Sequence, residues 1–452
     1  MLRERVKRVH FVGIGGIGMS GLAQILLEMG YRVTGSDLKE SKTVELLRKK
    51  GVRVFIGHRP EHVRDAQVVV YSSAVKPDNP EIVEAKRLNL PVVPRGEMLA
   101  ELFKLKEGIA VSGSHGKTTT TSMIAEVLIN AGLEPTVLVG GRLKRLGTNA
   151  KLGQGELLVS EADESDGSFL KLSPAVAVVT NVDREHLDFY ESFEAIKKAF
   201  ESFVNAVPFY GFAVLNADDE ALREIRSRTH ERVITFGLSK DVHARAEELK
   251  LENGRYAFNL VWKGRPLGRV KLGIAGRHNV YNALAAAAVC LELGVPFTTI
   301  KRSLEEFKNA ERRLDFKGYY GSAPVYDDYG HHPTEIKAVL SSLKELYPDR
   351  ELVVLFQPHR YSRTHYLFDE FVRVLKGVPH LIVTDVYPAG ERNLWGVSAE
   401  RLAREAGAYY APTKEEALKL VKKLARKDRV VLFLGAGSVS RWCEELLSDE
   451  KA

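Results

Sequence analysis

The chain has 452 residues, 44% of them hydrophobic and 28% charged. That is enough for roughly three globular domains at about 150 residues each, and it excludes a disordered or fibrous composition. A net charge of +7, from 66 Lys and Arg against 59 Asp and Glu, is mild, and basic stretches such as 3–8 and 422–427 alternate with apolar residues as solvated faces do.

No basic stripe interleaved with aromatics points to nucleic acid, and no run of 18 apolar residues points to a membrane span. Two cysteines, Cys290 and Cys443, cannot form a disulfide framework or a cysteine-rich zinc site. Cys290 reads as a small core residue, and the expected compartment is the reducing cytoplasm.

Arg3, Arg5, Lys7 and Arg8 before residues 9–19 imitate a signal peptide, but glycines break the apolar run, so a strand turning into a helix is the better reading. Residues 9–12 are expected to form a buried strand. Residues 17–29 carry helical spacing, with Gly30 as the stop. Strands are expected at 32–35 and 67–72. This βαβ pattern predicts a parallel sheet running to about residue 103. Gly13-x-Gly15-x-x-Gly18 joins the first strand to the first helix, and Asp37 ends the next strand. The spacing is that of a dinucleotide fingerprint. Its physics is a close approach of backbone to phosphate at a helix N-terminus, which NAD(P) or another nucleotide diphosphate would satisfy, and a tight structural turn remains an alternative.

A second unit begins at residue 108. A strand at 109–111 leads through Ser112-Gly113-Ser114-His115-Gly116-Lys117-Thr118 into a helix at 118–131. Successive N–H groups in such a loop wrap a β-phosphate, Lys117 adds a cation, and the Thr118 hydroxyl can reach Mg²⁺. Position 111 is Val where the usual pattern has its first glycine. Strands at 156–160 and 175–180 end in two polar clusters. Glu161-Ala162-Asp163-Glu164-Ser165-Asp166 suits a cation beside phosphates. Thr180-Asn181-Val182-Asp183-Arg184-Glu185-His186-Leu187-Asp188 can meet it over one site. A helix at 281–293 closes the unit near residue 310.

The third unit alternates strands at 351–356, 381–386 and 429–434 with helices and ends in Gly435-Ala436-Gly437. Two clusters stand out. The first, at 326–333, follows a short strand. Its His331 and His332, being adjacent, point to opposite sides if extended. In the second, at 357–363, Arg360 and Arg363 can fork onto a phosphate or carboxylate.

In this order the motifs resemble the Mur ligase family. The carrying residues are 10–20, 114–120, 161–166, 181–188, His278-Asn279-x-x-Asn282, Arg312-Arg313, 327–333 and 357–363, which span nearly the whole chain. The resemblance implies an α/β fold of three domains: a Rossmann-like N-terminal domain for a UDP-sugar at 1–105, a central P-loop ATPase domain at 106–311, and a C-terminal Rossmann-like domain at 312–452 that closes over the site.

It also implies an ADP-forming carboxylate–amine ligase, resembling most closely the member that adds the first amino acid in peptidoglycan precursor synthesis. The lactyl carboxylate of UDP-N-acetylmuramate would attack ATP, and L-alanine would attack the acyl phosphate. Cell-wall biogenesis, cell shape and cell division would depend on it. By the same resemblance, Gly13, Gly15, Gly16, Gly18, Ser20 and Asp37 serve the UDP-sugar. Gly113, Ser114, His115, Gly116, Lys117, Thr118 and Thr119 hold the ATP phosphates. Asn282, Arg313 and Asp328 meet adenine, phosphate and ribose. Thr118 binds one Mg²⁺, Glu161 and His186 a second for which Mn²⁺ is a substitute, and His359, Arg360 and Arg363 face the substrate. A monomer or weak homodimer is expected.

Overall fold

The computed structural model describes residues 6–449 and, within them, all side chains except those of Leu187 and Asp188. Arg3 and Arg5 of the basic leader therefore lie outside the described residues. Contacts gather the chain into two compact units. One runs to Glu247 and takes in Asn259–Val270 and Tyr281–Phe307; the other consists of Glu248–Phe258, Lys271–Val280 and the chain from Lys308 onward.

The first sheet is built from β1 (Arg8–Val12), β2 (Arg32–Asp37), β3 (Arg53–Ile56), β4 (Val68–Tyr71) and β5 (Val92–Pro94), in the order β3-β2-β1-β4-β5. All its pairings are parallel. Strand order reverses beside β1, so a crevice opens at its carboxyl end. The Gly13–Gly18 loop lies there and leads into the helix Ile17–Glu28. Gly30 stops that helix with φ +89°, as the sequence predicts.

The second sheet has ten strands: β6 (Glu107–Ser112), β7 (Thr136–Leu143), β8 (Thr148–Lys151), β9 (Leu157–Glu161), β10 (Val176–Val179), β11 (Phe212–Asn216), β12 (Val233–Gly237), β13 (Ala244–Glu252), β14 (Arg255–Trp262) and β15 (Arg265–Lys271). Their order is β15-β14-β13-β12-β11-β10-β6-β9-β7-β8. Ile109, Ala110 and Val111 of β6 are fully buried, as expected of a parallel strand covered on both faces. Because β6 lies between β10 and β9, the loops that leave these three strands emerge side by side. That adjacency brings the phosphate loop and both polar clusters together.

The third sheet contains β16 (Asp315–Tyr320), β17 (Ala323–Asp328), β18 (Glu351–Phe356), β19 (His380–Val383), β20 (Tyr409–Tyr410) and β21 (Arg429–Leu434), in the order β16-β17-β21-β18-β19-β20. Only the edge pairing β16–β17 is antiparallel. Apolar clusters cover both faces of this sheet, the doubly wound arrangement. The strand expected at 381–386 ends at Val383, and Tyr326, Asp327 and Asp328 lie within β17 rather than after it.

Candidate functional site

In the first unit, the phosphate loop is tied down from the neighbouring loop after β10. Ser114 N–H donates to Asn181 O at 3.0 Å, and His115 N–H to Asn181 Oδ1 at 2.9 Å. Thr180 Oγ1 and Asn181 Nδ2 both donate to His115 O, at 2.5 and 3.0 Å. Asp183 N–H donates to Ser114 Oγ at 2.8 Å. The loop is thus set in shape by five hydrogen bonds before any ligand arrives, which is preorganisation. Gly116 has φ +84°, and a Cβ there would meet Asn282 Oδ1 at 2.5 Å. Asn282 also accepts from Thr120 Oγ1 at 3.2 Å, so it stands beside the first turn of the helix Lys117–Asn130.

Lys117 Nζ donates to Gly113 O at 2.6 Å, to Ser114 O at 3.2 Å and to Glu164 Oε1 at 2.8 Å. Burial opposes its charge, but Glu164, Asp163 and Glu185 outweigh it and raise the ammonium pKa. Burial pushes the Glu164 carboxyl up to about 7, Lys117 opposing the rise and Asp163 adding to it.

His186, held at φ +56°, places Nε2 3.7 Å from Glu164 Oε1 and 3.9 Å from Glu185 Oε2. One ligand atom from each of Glu164, Glu185 and His186 lies within 4.8 Å of the others. Glu164 Oε2 is buried without a hydrogen-bond partner. Two carboxylates, an imidazole and an unsatisfied buried oxygen fit a divalent cation. The Glu161 carboxylate accepts the Gly140 N–H at 2.6 Å. Among the described residues, Glu161 belongs to no three-residue metal-ligating cluster. Glu164 and Glu185 lie within the two polar clusters that the sequence marks. Both are buried, which a run of acids does not reveal.

In the first domain, Asp37 Oδ2 accepts the Gly15 N–H at 2.9 Å, so this acid braces its own glycine loop. Gly13 and Ile14 donate to Ser36 O at 2.9 and 3.0 Å. A dinucleotide site would turn that acid toward a ribose.

In the second unit, Asp328 is buried and takes backbone N–H groups on both oxygens, from Leu314 at 2.6 Å and Gly330 at 2.7 Å. Burial lifts its pKa to about 6 against the pull of Arg313. The Arg313 guanidinium lies 5.4 Å from the Tyr329 ring centroid and 3.8 Å from Glu335. His332 caps the helix Pro333–Leu346 in a reciprocal arrangement with Glu335. His359 follows β18 and stacks on Tyr387 at 5.5 Å, while Arg363 Nη1 donates to its Nδ1 at 3.3 Å. Burial, then the charges of His331, Arg363, Arg360 and Arg312, push its pKa down to about 3, so the ring is neutral at pH 7. Arg360 has φ +70° and ψ 138°, a conformation normally left to glycine.

Three family models match the chain in order. The Mur ligase family catalytic domain matches residues 8–107, the Mur ligase middle domain residues 111–290, and the Mur ligase glutamate ligase domain residues 312–437. The chain belongs to the Mur ligase family. A UDP-N-acetylmuramate–L-alanine ligase from Aquifex aeolicus is 70% identical over 449 residues, covering 99% of both chains. One from Sulfurihydrogenibium is 54% identical over 451 residues, 99% of this chain and 98% of that protein. Among solved structures, a UDP-N-acetylmuramate-alanine ligase from Thermotoga maritima superposes with a TM-score of 0.85 at 31% identity, covering 98% of this chain and 99% of the other.

Proposed function

We propose that the chain joins L-alanine to the lactyl carboxylate of UDP-N-acetylmuramate with conversion of ATP to ADP and phosphate. The observation that carries this reading is the 70% identity, over 99% of both chains, to a relative of that name. A carboxylate oxygen attacks the γ-phosphorus as the bond to ADP breaks. The alanine amine then attacks the acyl carbon, phosphate leaves, and the nitrogen sheds its proton to water.

Two anions must first meet. At 4 Å their repulsion is about 4 kcal/mol at an effective dielectric near 20, a factor on the order of a thousand in rate. Lys117, kept charged by its carboxylate neighbours, serves the phosphoryl oxygens. Gly113, Ser114, His115, Gly116 and Thr119 form the loop around the phosphate chain, the Ser114 and His115 N–H groups being held by Asn181. Thr118 would offer its hydroxyl to one Mg²⁺, and Glu161 and His186 would hold a second, with Glu164 and Glu185 beside His186. A divalent cation there supplies charge neutralisation between the two oxyanions. Mn²⁺ is expected to substitute, since a nitrogen ligand favours it over Mg²⁺.

Gly13, Gly15, Gly16, Gly18 and Ser20 receive the diphosphate, with Asp37 bracing the loop. Asn282, Arg313 and Asp328 take adenine, phosphate and ribose. The neutral ring of His359 and the cations of Arg360 and Arg363 face the acceptor substrate. The cytoplasm, where UDP-sugars and ATP occur together, is the compartment this reading requires. No helix among the described residues is long and apolar enough to cross a membrane.

The test is coupled ADP release with UDP-N-acetylmuramate and each amino acid in turn. Turnover is expected to need both substrates and to be fastest with L-alanine. ATP hydrolysis that ignores omission of the sugar nucleotide overturns the reading.

A further inference from the structure

Arg95 begins the helix Arg95–Phe103 directly after β5. It therefore sits on the same carboxyl edge of the first sheet as the Gly13–Gly18 loop. Its side chain crosses the first turn of the helix that leaves that loop. A Cβ at Gly18 would lie 3.2 Å from Arg95 Cδ and 3.4 Å from Nη1. The far end of the guanidinium reaches the acid loop of the central domain, where Nη2 donates to Asp163 Oδ2 at 3.2 Å.

Asp163 is itself fixed, its Oδ1 accepting the Ser165 N–H at 3.0 Å. The next residue, Gly96, is pressed so closely on Ser168 that a Cβ would fall 2.4 Å from the Ser168 Cβ. The two loops thus meet where Arg95 reaches Asp163, one residue before Glu164 and its partner Lys117.

A guanidinium has five N–H donors in a planar fork. One contact, to Asp163, sets its orientation, and the remaining edge lies along the glycine loop. We propose that Arg95 is a substrate-binding residue that receives an oxyanion of the sugar nucleotide, with Asp163 as the residue that positions it. This rests on the reading that the first domain holds a UDP-sugar. The oxyanion is either the diphosphate or the lactyl carboxylate. Lysine is a poor replacement, because a point charge cannot hold Asp163 and the substrate in one plane.

Calorimetric titration of the full chain with UDP-N-acetylmuramate, with UDP-N-acetylglucosamine (which lacks the lactyl carboxylate) and with ADP tests this. Arg95→Ala is expected to weaken sugar-nucleotide binding about 10- to 100-fold, the range for a lost charge-assisted hydrogen bond, while ADP affinity stays within about twofold. Arg95→Lys should recover only part of the loss, and Asp163→Asn should show a smaller loss of the same kind. Weakening of both sugar nucleotides places the oxyanion at the diphosphate; weakening of the muramate alone places it at the carboxylate. Wild-type affinity in Arg95→Ala, or an equal fall in ADP affinity, overturns the proposal. Failure of the wild-type chain to bind either sugar nucleotide instead removes the reading on which it rests.

Discussion

Glu81 is fully buried and has no place in phosphoryl transfer, yet it ties together the floor of the first domain. Its carboxylate accepts from Ser36 Oγ at 2.5 Å, His62 Nδ1 at 2.6 Å and Arg59 N–H at 3.2 Å, with His10 Nε2 at 3.4 Å and His58 Nδ1 at 3.5 Å. Burial alone would raise its pKa, but the bonds from His10, Ser36 and His62 outweigh burial and bring it from 4.5 to about 2. At 1.36 kcal/mol per unit, that depression corresponds to about 3 kcal/mol of stability at pH 7. The sign follows from a lowered acid. The stabilisation is complete above pH 4.5, falls to less than half by pH 3, and disappears as pH drops through 2.

Ser36 also accepts the N–H groups of Gly13 and Ile14 through its carbonyl, so the loss should be felt in the glycine loop. Glu81→Gln keeps the shape and removes the charge. Hydrogen exchange of a peptide covering β1 and the loop is expected to speed up on the order of 100-fold at pH 7, if opening of this domain governs exchange. The difference in urea midpoint between wild type and variant should shrink between pH 5 and pH 3. Equal exchange in the two proteins at pH 7, or a midpoint difference independent of pH, would refute the reasoning.

Three further outcomes are expected at the site itself. Gly116→Ala puts a Cβ 2.5 Å from Asn282 Oδ1 at φ +84°, so ADP affinity by calorimetry should fall more than about 100-fold, since a left-handed alanine costs roughly 1–2 kcal/mol before the clash is added; unchanged affinity would show that Asn282 moves freely. His186→Ala should abolish hydroxylamine-trapped acyl phosphate while leaving ATP affinity nearly intact, whereas Lys117→Ala should lower both; wild-type turnover of the histidine variant at limiting metal removes His186 from the cation site. Arg360→Gly releases backbone strain of about 1–3 kcal/mol, so the thermal midpoint should hold or rise while ligation falls about 100-fold or more; a fall in the midpoint would mean that the Arg360 side chain, not its backbone, dominates the local energy.

What could be read from the sequence followed the range of the interactions. The phosphate loop was legible because strand, loop and helix are contiguous, and each local preference agrees with the next. The meeting of residues 161–166 with 180–188 was legible as a possibility, since both follow buried strands. It became a fact only through the strand order that sets β6 between β9 and β10. By contrast, β13 carries the segment ARAEELKLE with burial on few positions. A strand that is polar on both faces leaves almost no period-two signal. His10 lies in the expected strand, His58 and His62 lie in no motif, and nothing short-range joins the three to Glu81. Arg95 opens a helix with no motif around it. The same limit separates Glu164 from Glu161. Both belong to one acidic run, and only the fold shows that Glu164 takes the Lys117 ammonium at 2.8 Å while Glu161, at the end of β9, takes the Gly140 amide. Chemistry that lies within one turn of chain was therefore readable, whereas partnerships made across sheets required coordinates. The residues that depend on those partnerships, Glu81, Arg95 and Glu164, are where substitutions will separate support of the loops from contact with the substrates.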